Sequence, residues 1–177
     1  MVMRVAIPFP CFAVAAMSLL FAQACNITED LPTYEESTIV GVGDYMPEFE
    51  VELTDCRVVS SGDYLGEPLL LILFSAKCPD CKNLLDDVQQ LVDSGATMPT
   101  VLAIGRDATC DDIVGYAAAH GYTMPMAPDA RRDVFSLFAT TYVPRTYLVG
   151  RDGRVEMLAI EYDPCYVPAL VERALEL

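Results

Sequence analysis

The residues Phe74–Asn83 read FSAKCPDCKN and bring two cysteines, Cys78 and Cys81, close together in the chain. The run PLLLILF that leads into them, Pro68–Phe74, is continuously apolar and too short for a globular helix. This pattern predicts a central strand that is buried on both faces. From Cys78 to Asp93 apolar residues recur at helical spacing, which predicts a helix with one apolar stripe. The cysteine pair therefore stands at the junction between a buried strand and a helix.

The position of the pair at a helix start favours redox chemistry. The sulfur of Cys78 would face free backbone N–H groups and the positive end of the helix dipole, which stabilise a thiolate. Lys77 adds a cation, whereas Asp80 adds an opposing negative charge. Pro79 suits a helix start because its missing N–H would be unused there. Cys81 lies one turn further, on the buried side, where it can resolve a mixed disulfide formed at Cys78.

Two other interpretations of the pair are a metal site and a set of structural thiols. A metal site needs further ligands, and the chain offers a single histidine, His120, and no second CxxC. We therefore predict no metal and no cofactor. Structural thiols fit less well, because a CxxC directly after a buried strand is the usual redox context. The sequence leaves open whether the other cysteines of the domain are free or whether two of them pair; these are Cys56, Cys110 and Cys165.

The elements predicted around this junction form an α/β pattern. Residues 48–53 and 56–61 predict an N-terminal β-hairpin. Further strands are predicted at 100–105, 145–150 and 154–160, a short extended piece at 123–129, and helices at 109–120, 129–139 and 164–177. This order predicts a mixed central sheet flanked by helices. A strand, a helix that begins at a CxxC, a strand and a closing hairpin resemble the thioredoxin arrangement.

The N-terminal residues predict export from the cytoplasm. Residues 1–24 place an apolar run after Arg4 and end in small residues, as signal peptides do. Three forms stay open: a lipoprotein modified at Cys25, a protein cleaved after Ala24, and an uncleaved membrane anchor. Residues 25–43 are polar and acidic and predict a tether, so that the folded domain would span 44–177. All three forms place that domain outside the cytoplasm, in the periplasm or cell envelope.

The composition indicates one packed domain with an acidic surface. The 177 residues are 53% hydrophobic, and 26 acidic against 11 basic residues give a net charge of −15. This balance argues against nucleic acid as a partner, because few basic groups are available to neutralise phosphates. It also argues against electrostatic attraction to an anionic membrane surface, so membrane association would depend on the N-terminal lipid or anchor.

A second motif, TYVPRTYLVGRDGRV, covers residues 141–155. Val143-Pro144 lies directly before a predicted strand, where an X-Pro bond can be cis. The alternative is an ordinary turn proline at the start of a strand.

From Gly43 to Leu177 the chain resembles the membrane-tethered thioredoxin-like thiol–disulfide oxidoreductases of bacteria, which are relatives of the cytochrome c maturation reductases. The similar blocks are VGVGDYMPEFEVEL, GEPLLLILFSAKCPDC and VPRTYLVGRDGRV, in this order. The resemblance implies that Cys78 attacks a substrate disulfide and that Pro144 packs beside the CxxC as a cis proline. Val143 and Arg145 would border the substrate groove. It also implies protein thiols and disulfides as substrates and an upstream membrane or periplasmic thiol reductant.

The chain departs from this family at two features of the site. Lys77 stands where a tryptophan is usual. Many members carry an acid that helps to deprotonate the second cysteine, and the places for it are occupied here by Ile72 and Leu84. The proton acceptor for Cys81 is therefore not identified, and the candidates are Asp80, Asp86 and water.

Peroxiredoxins share this fold and provide an alternative function, a thiol peroxidase. Arg145 stands close to the place of the arginine that stabilises their thiolate, and Ser75 stands where they have a threonine. However, Leu71 replaces the proline that begins their motif, and Pro144 is better explained by an oxidoreductase. We therefore predict disulfide reduction through Cys78, with the peroxidase and a non-catalytic thioredoxin-fold binding lipoprotein as alternatives.

Overall fold

Strand β3, Leu69–Phe74, is the central element of the structure, a computed structural model that describes residues 31–177. Every residue of β3 is buried. The strand pairs in parallel with β4, Thr100–Arg106, and antiparallel with β6, Arg145–Val149. A strand covered on both faces must be apolar throughout. The prediction of a doubly buried central strand is therefore confirmed.

The main sheet has the strand order β5-β4-β3-β6-β7. β5, Met126–Asp129, runs parallel to β4, whereas β7, Val155–Ile160, runs antiparallel to β6. The sheet is therefore mixed, as predicted. The helices are α1 (Pro79–Ser94), α2 (Cys110–His120), α3 (Phe135–Phe138) and α4 (Tyr166–Leu175).

Two apolar clusters cover the opposite faces of this sheet, because alternate residues of β3 point to opposite sides. α1, α2 and α4 pack on one face, which holds Leu84, Ile113 and Leu170. α3 packs on the other face through Phe135 and Phe138. The cysteine pair belongs to the first of these layers, since Cys81 and Cys78 lie at its edge.

The predicted N-terminal hairpin forms a separate two-stranded sheet. β1, Glu50–Glu52, pairs antiparallel with β2, Val58–Ser60, and a short 3-10 helix follows at Ser61–Tyr64. Val51 of β1 is buried in the cluster that α3 covers. The hairpin thus closes the face of the sheet opposite to the cysteine pair.

The predicted helix at 129–139 is wrong over most of its length. β5 ends at Asp129, and only the four residues of α3 are helical in this stretch. The Asp129 carboxylate accepts the Phe135 N–H at 2.8 Å, and Arg132 has a left-handed φ of 62°. A left-handed residue cannot continue an α-helix. The chain therefore turns at 130–134 before α3 begins.

Residues 32–43 pack on the domain, although the acidic composition predicted a tether up to residue 43. The compact unit begins at Pro32. Val40 is buried, and the N–H groups of Ile39 and Val40 donate to the Phe138 carbonyl oxygen at 2.9 and 3.1 Å. Backbone hydrogen bonds hold this stretch, and side-chain composition does not reveal them.

The predictions for residues 1–30 lie outside the described residues. They are the export segment at 1–24, the lipid attachment at Cys25 and the first part of the tether. In the described range, 31–177, no helix has both the length and the apolar character that crossing a bilayer requires.

Gly105→Ala is expected to destabilise the protein, because this residue of β4 has no room for a side chain. A Cβ atom there would overlap Ile113 Cδ1 and lie 3.1 Å from Phe74 Cζ. We expect the free energy of unfolding to fall by about 1–3 kcal/mol, as measured by urea denaturation. Gly115→Ala in α2 is the matched control, since no side chain of the described residues comes within 4 Å of its new Cβ. It should gain about 0.5–1 kcal/mol. Equal stability of the two variants would contradict the close packing at Gly105.

Candidate active site

Cys78 occupies the N-cap position of α1. The Cys81 N–H donates to Cys78 Sγ at 3.4 Å, so the sulfur takes the place that a capping oxygen usually has. Cys78 is partly buried and keeps access to solvent. Pro79 is the first helical residue, where its missing N–H leaves no hydrogen bond unmade. Cys78 therefore stands at the start of α1, as predicted, and one backbone N–H group, that of Cys81, points at its sulfur.

Cys81 lies one turn into α1 and is fully buried. The Ser75 N–H donates to Cys81 Sγ at 3.4 Å. Burial raises the pKa of the Cys81 thiol, and the Ser75 N–H opposes this effect only in part. Both Cys78 and Cys81 are free thiols in the structure. The pair thus combines one accessible sulfur with one sulfur that stays protonated and shielded.

The loop before β6 meets the cysteine pair at Val143. The Cys78 thiol lies 3.6 Å from the Val143 carbonyl oxygen. The Val143–Pro144 peptide bond is cis, as predicted. Pro144 is buried, and its carbonyl oxygen accepts the Glu161 N–H at 2.9 Å, which fixes this loop to the end of β7. The structure therefore brings together residues that lie far apart in the sequence.

Lys77 and Asp80 are exposed on either side of Cys78. Within residues 31–177 neither forms an ion pair. The Lys77 N–H donates to Ser75 Oγ at 3.3 Å, which holds the loop but leaves the ammonium group in solvent. Their opposing effects on the reactivity of Cys78 remain a prediction.

Arg145 does not contact the cysteine pair, although the sequence predicted it at the substrate groove. The side chain is fully buried. Its guanidinium donates to Thr141 O at 3.1 Å, Thr38 Oγ1 at 2.8 Å and Ser37 Oγ at 2.6 Å. These bonds direct Arg145 to the 32–43 segment. Its role here is to tie that segment to the core, because a buried guanidinium must be hydrogen-bonded.

Asp86 is poorly suited to accept the proton of Cys81. The Tyr122 hydroxyl donates to Asp86 Oδ1 at 2.7 Å, and Lys82 pairs with Oδ2. Burial alone would raise the pKa of Asp86, but the bonds from Lys82 and Tyr122 outweigh it and lower the pKa overall. A carboxylate that is stabilised in this way is a weak base. Asp80 and water remain as the predicted acceptors.

Two residues near the pair, Arg106 and Tyr116, were not singled out from the sequence. The parallel register of Phe74 with Gly105 brings Arg106, the last residue of β4, next to the loop that leads to Cys78. The carboxyl ends of parallel strands meet at one edge of a sheet. The position of Arg106 directly after the apolar run of β4 could therefore have indicated, from the sequence, that it lies near the cysteine pair. Tyr116 of α2 stacks on Phe74 with ring centroids 5.9 Å apart, and its position depends on tertiary packing.

The remaining cysteines of the domain, Cys56, Cys110 and Cys165, are exposed free thiols. Of the two arrangements that the sequence left open, the structure shows unpaired thiols. In the part of the chain that the structure describes, no three metal-binding side chains come together.

Cys81 is expected to resist alkylation while Cys78 reacts. The reason is that Cys81 is fully buried and that burial raises its pKa, so little thiolate is present at pH 7. Reduced protein would be treated with iodoacetamide and each cysteine quantified by mass spectrometry, with exposed Cys56 as an internal reference. Labelling of Cys81 should increase with pH, because the thiolate fraction grows about tenfold per pH unit below the pKa. Equal labelling of Cys78 and Cys81 in the folded protein would contradict the structure.

Comparison with known proteins shows similarity to proteins named as a thiol-disulfide oxidoreductase, a protein disulfide isomerase and a peroxidoxin. The thiol-disulfide oxidoreductase ResA of Geobacillus thermodenitrificans is 23% identical over 141 residues, which cover 79% of this chain and 81% of that protein. A candidate protein disulfide isomerase of Bacteroides thetaiotaomicron superposes with a TM-score of 0.71 at 23% identity, covering 79% of this chain and 91% of that chain. Peroxidoxin BcpB from Mycobacterium tuberculosis superposes with a TM-score of 0.61 at 16% identity, covering 77% and 95%.

The comparisons confirm the predicted fold class, a thioredoxin-like mixed sheet flanked by helices with an N-terminal hairpin. The name of the ResA relative agrees with the predicted enzyme class, thiol–disulfide oxidoreductase. The family model described as AhpC/TSA matches residues 42–158, which is more than half of the 177-residue chain. The chain therefore belongs to the AhpC/TSA family.

Proposed function

We propose that the protein is an extracytoplasmic thiol–disulfide oxidoreductase that reduces protein disulfides with Cys78 and Cys81. One observation carries the proposal: the partly buried Cys78 sulfur caps α1 and lies 3.6 Å from the Val143 carbonyl oxygen, with Cys81 shielded one turn behind it. Two-step exchange needs such an arrangement, an accessible attacking thiol and a nearby resolving thiol.

In the first step the Cys78 thiolate attacks one sulfur of the substrate disulfide. A bond forms between Cys78 Sγ and that sulfur, the substrate S–S bond breaks, and the other substrate sulfur leaves and takes up a proton. In the second step Cys81 loses its proton and attacks Cys78 Sγ. This breaks the mixed disulfide and releases the second substrate thiol. Two electrons have then passed to the substrate, and the protein holds a Cys78–Cys81 disulfide.

The burial of Cys81 helps to order these two steps. Because burial raises the pKa of Cys81, this thiol stays protonated while Cys78 makes the first attack. When Cys81 then attacks, its proton passes to the substrate thiolate that leaves in the second step, to Asp80 or to water. The substrate chain would lie against Val143 and Pro144, with Lys77 on the exposed side of the sulfur.

Turnover requires that the oxidised pair is reduced again. We propose that a membrane or periplasmic dithiol protein supplies the two electrons, and that lipid attached at Cys25 keeps the protein close to it. The support for these two points is the signal-peptide pattern of residues 1–25 and the resemblance of the three sequence blocks to tethered oxidoreductases.

The test compares insulin disulfide reduction, driven by dithiothreitol, with consumption of hydrogen peroxide by the same protein. We expect faster precipitation of the insulin B chain and no peroxide consumption above that of dithiothreitol alone. The engagement of Arg145 by Ser37 and Thr38 favours this outcome, since that arginine is not available to a peroxide-reactive thiolate. Peroxide consumption without insulin reduction would indicate a thiol peroxidase. Neither activity in a folded protein would indicate a binding module.

A further inference from the structure

A cavity of about 320 Å³ opens beside the loop that carries the cysteine pair. Its walls come from three places in the fold: the loop after β3, the end of β4 with the residues that follow it, and the first turns of α2. The lining residues are Ser75, Ala76, Lys77, Arg106, Asp107, Ala108, Asp112 and Tyr116. The reaction steps described above leave most of these residues unused.

Two buried hydrogen-bond donors of this cavity, and the exposed ammonium group of Lys77, lack a protein partner within residues 31–177. Arg106 Nε and the Tyr116 hydroxyl are both buried, and neither bonds to a protein acceptor in this range. The side chain of Arg106 keeps 17% of its surface exposed, and the guanidinium carbon lies 4.6 Å above the Phe135 ring. Lys77 forms no ion pair among these residues. A buried donor without a partner is unfavourable, so an acceptor that entered the cavity would be stabilised.

The two carboxylates of the cavity already have their own partners. Arg132 binds Asp107 through two bonds of 2.7 Å, and Asp107 Oδ2 stays 3.8 Å from Arg106 Nε. Asp112 accepts the N–H and the hydroxyl of Thr109 at 2.9 and 2.7 Å, as part of the α2 cap. Both acids are therefore satisfied locally. Arg106 therefore shares the Asp107 carboxylate with Arg132 and reaches it only at ion-pair distance, without a hydrogen bond.

The cavity lies next to the reacting sulfurs. Ser75 lines it and also donates its N–H to Cys81 Sγ at 3.4 Å. The register of Phe74 with Gly105 places Arg106 beside Ser75 at the same edge of the sheet. A group held in the cavity would therefore lie at the same edge of the sheet as a substrate whose sulfur is bonded to Cys78.

We propose that this cavity binds a carboxylate of the disulfide substrate, carried by a residue next to the half-cystine that Cys78 attacks. The proposal rests on the proposed function and names its substrate class: disulfides with an acidic neighbour. Carboxylates are the common anions of protein chains, and they match the planar donors of arginine. The net charge of −15 would otherwise repel such a substrate, and the cavity provides a local site that attracts it.

The experiment uses two quenched fluorescent disulfide peptides that are identical except for Glu or Gln beside one half-cystine. The full-length reduced protein should cleave the Glu peptide with a kcat/KM about tenfold higher than the Gln peptide, as expected for one charge-assisted contact. Arg106→Gln should remove this preference while it keeps most turnover of the Gln peptide. Arg131→Gln is the matched control, since this exposed arginine pairs with Asp133 outside the cavity, and it should keep the preference.

The circular dichroism spectrum of each variant reports whether it is folded. If Arg106→Gln does not fold, Tyr116→Phe removes a single donor and should reduce the preference about two- to threefold. An equal loss for both peptides in Arg106→Gln would overturn the proposal, because Arg106 would then act on the sulfurs. Equal rates of both peptides in the unmodified protein would overturn the carboxylate site alone. No turnover of either peptide would overturn the proposed function, and the carboxylate site with it.

Discussion

Cys78→Ser is expected to abolish disulfide reduction, with a loss on the order of 10³-fold or more in kcat/KM. A serine hydroxyl stays protonated at neutral pH and cannot displace a thiolate from a disulfide. The contact geometry should survive, because Cys78 is an N-cap residue and serine is a favoured N-cap. The measurement is insulin reduction by the variant at matched concentration. Its circular dichroism spectrum and unfolding midpoint should equal those of the unmodified protein.

Cys81→Ser provides the matched control on the second step. Cys78 can still attack, but the mixed disulfide cannot be resolved within the protein, so a covalent complex with substrate should accumulate. Non-reducing gel electrophoresis would show this complex in Cys81→Ser and lack it in Cys78→Ser. A complex in neither variant would contradict the two-step mechanism. Full activity of Cys78→Ser would contradict the assignment of the nucleophile.

Arg145→Ala should produce the largest loss of stability, about 3–5 kcal/mol in the free energy of unfolding. The side chain is fully buried and donates three hydrogen bonds, two of them to Ser37 and Thr38. Its removal leaves a cavity and detaches the 32–43 segment. The measurement is urea denaturation, together with limited proteolysis, which should cut near residues 32–43 earlier than in the unmodified protein.

Two further variants help to interpret this loss of stability: one keeps most of the side-chain volume at position 145, and the other removes an exposed arginine as a control. Arg145→Met fills most of the space without the bonds and should cost less than Arg145→Ala, because Ser37 and Thr38 retain their own bonds to the Tyr34 carbonyl oxygen. Arg131→Ala, an exposed arginine, should stay within about 0.5 kcal/mol of the unmodified protein. If Arg145→Ala instead kept its stability and lost a peroxide-dependent activity, Arg145 would be the thiolate-stabilising arginine of a peroxidase.

The junction of β3 and α1 could be predicted from the sequence because its causes are local. A short, continuous apolar run between turn residues is typical of a buried strand, and Pro79 then starts a helix. Once the helix start is known, the spacing of Cys78 and Cys81 places both sulfurs within one turn. The cap of α2 is equally local: the Thr109 hydroxyl accepts the Asp112 N–H at 3.3 Å.

The prediction of a helix at 129–139 was wrong for two reasons, one local and one that depends on tertiary packing. Its apolar spacing reflects Phe135 and Phe138, which pack on the sheet, rather than a continuous helical face. The Asp129 side chain competes for the Phe135 N–H, and this bond closes a turn. The spacing of apolar residues alone does not distinguish a continuous helix from a turn followed by the short helix α3.

The roles of the two arginines were set by the packing of distant parts of the chain. Arg145 meets Ser37 across 108 residues of sequence, which turns an arginine expected at the substrate into a structural anchor. Arg106 reaches the cysteine loop only because β3 and β4 pair in parallel. The chemistry of Cys78 and Cys81 therefore follows from short-range geometry, which adjacent residues encode. The charges that surround the pair depend on strand register and on backbone hydrogen bonds between remote segments, which no local pattern encodes.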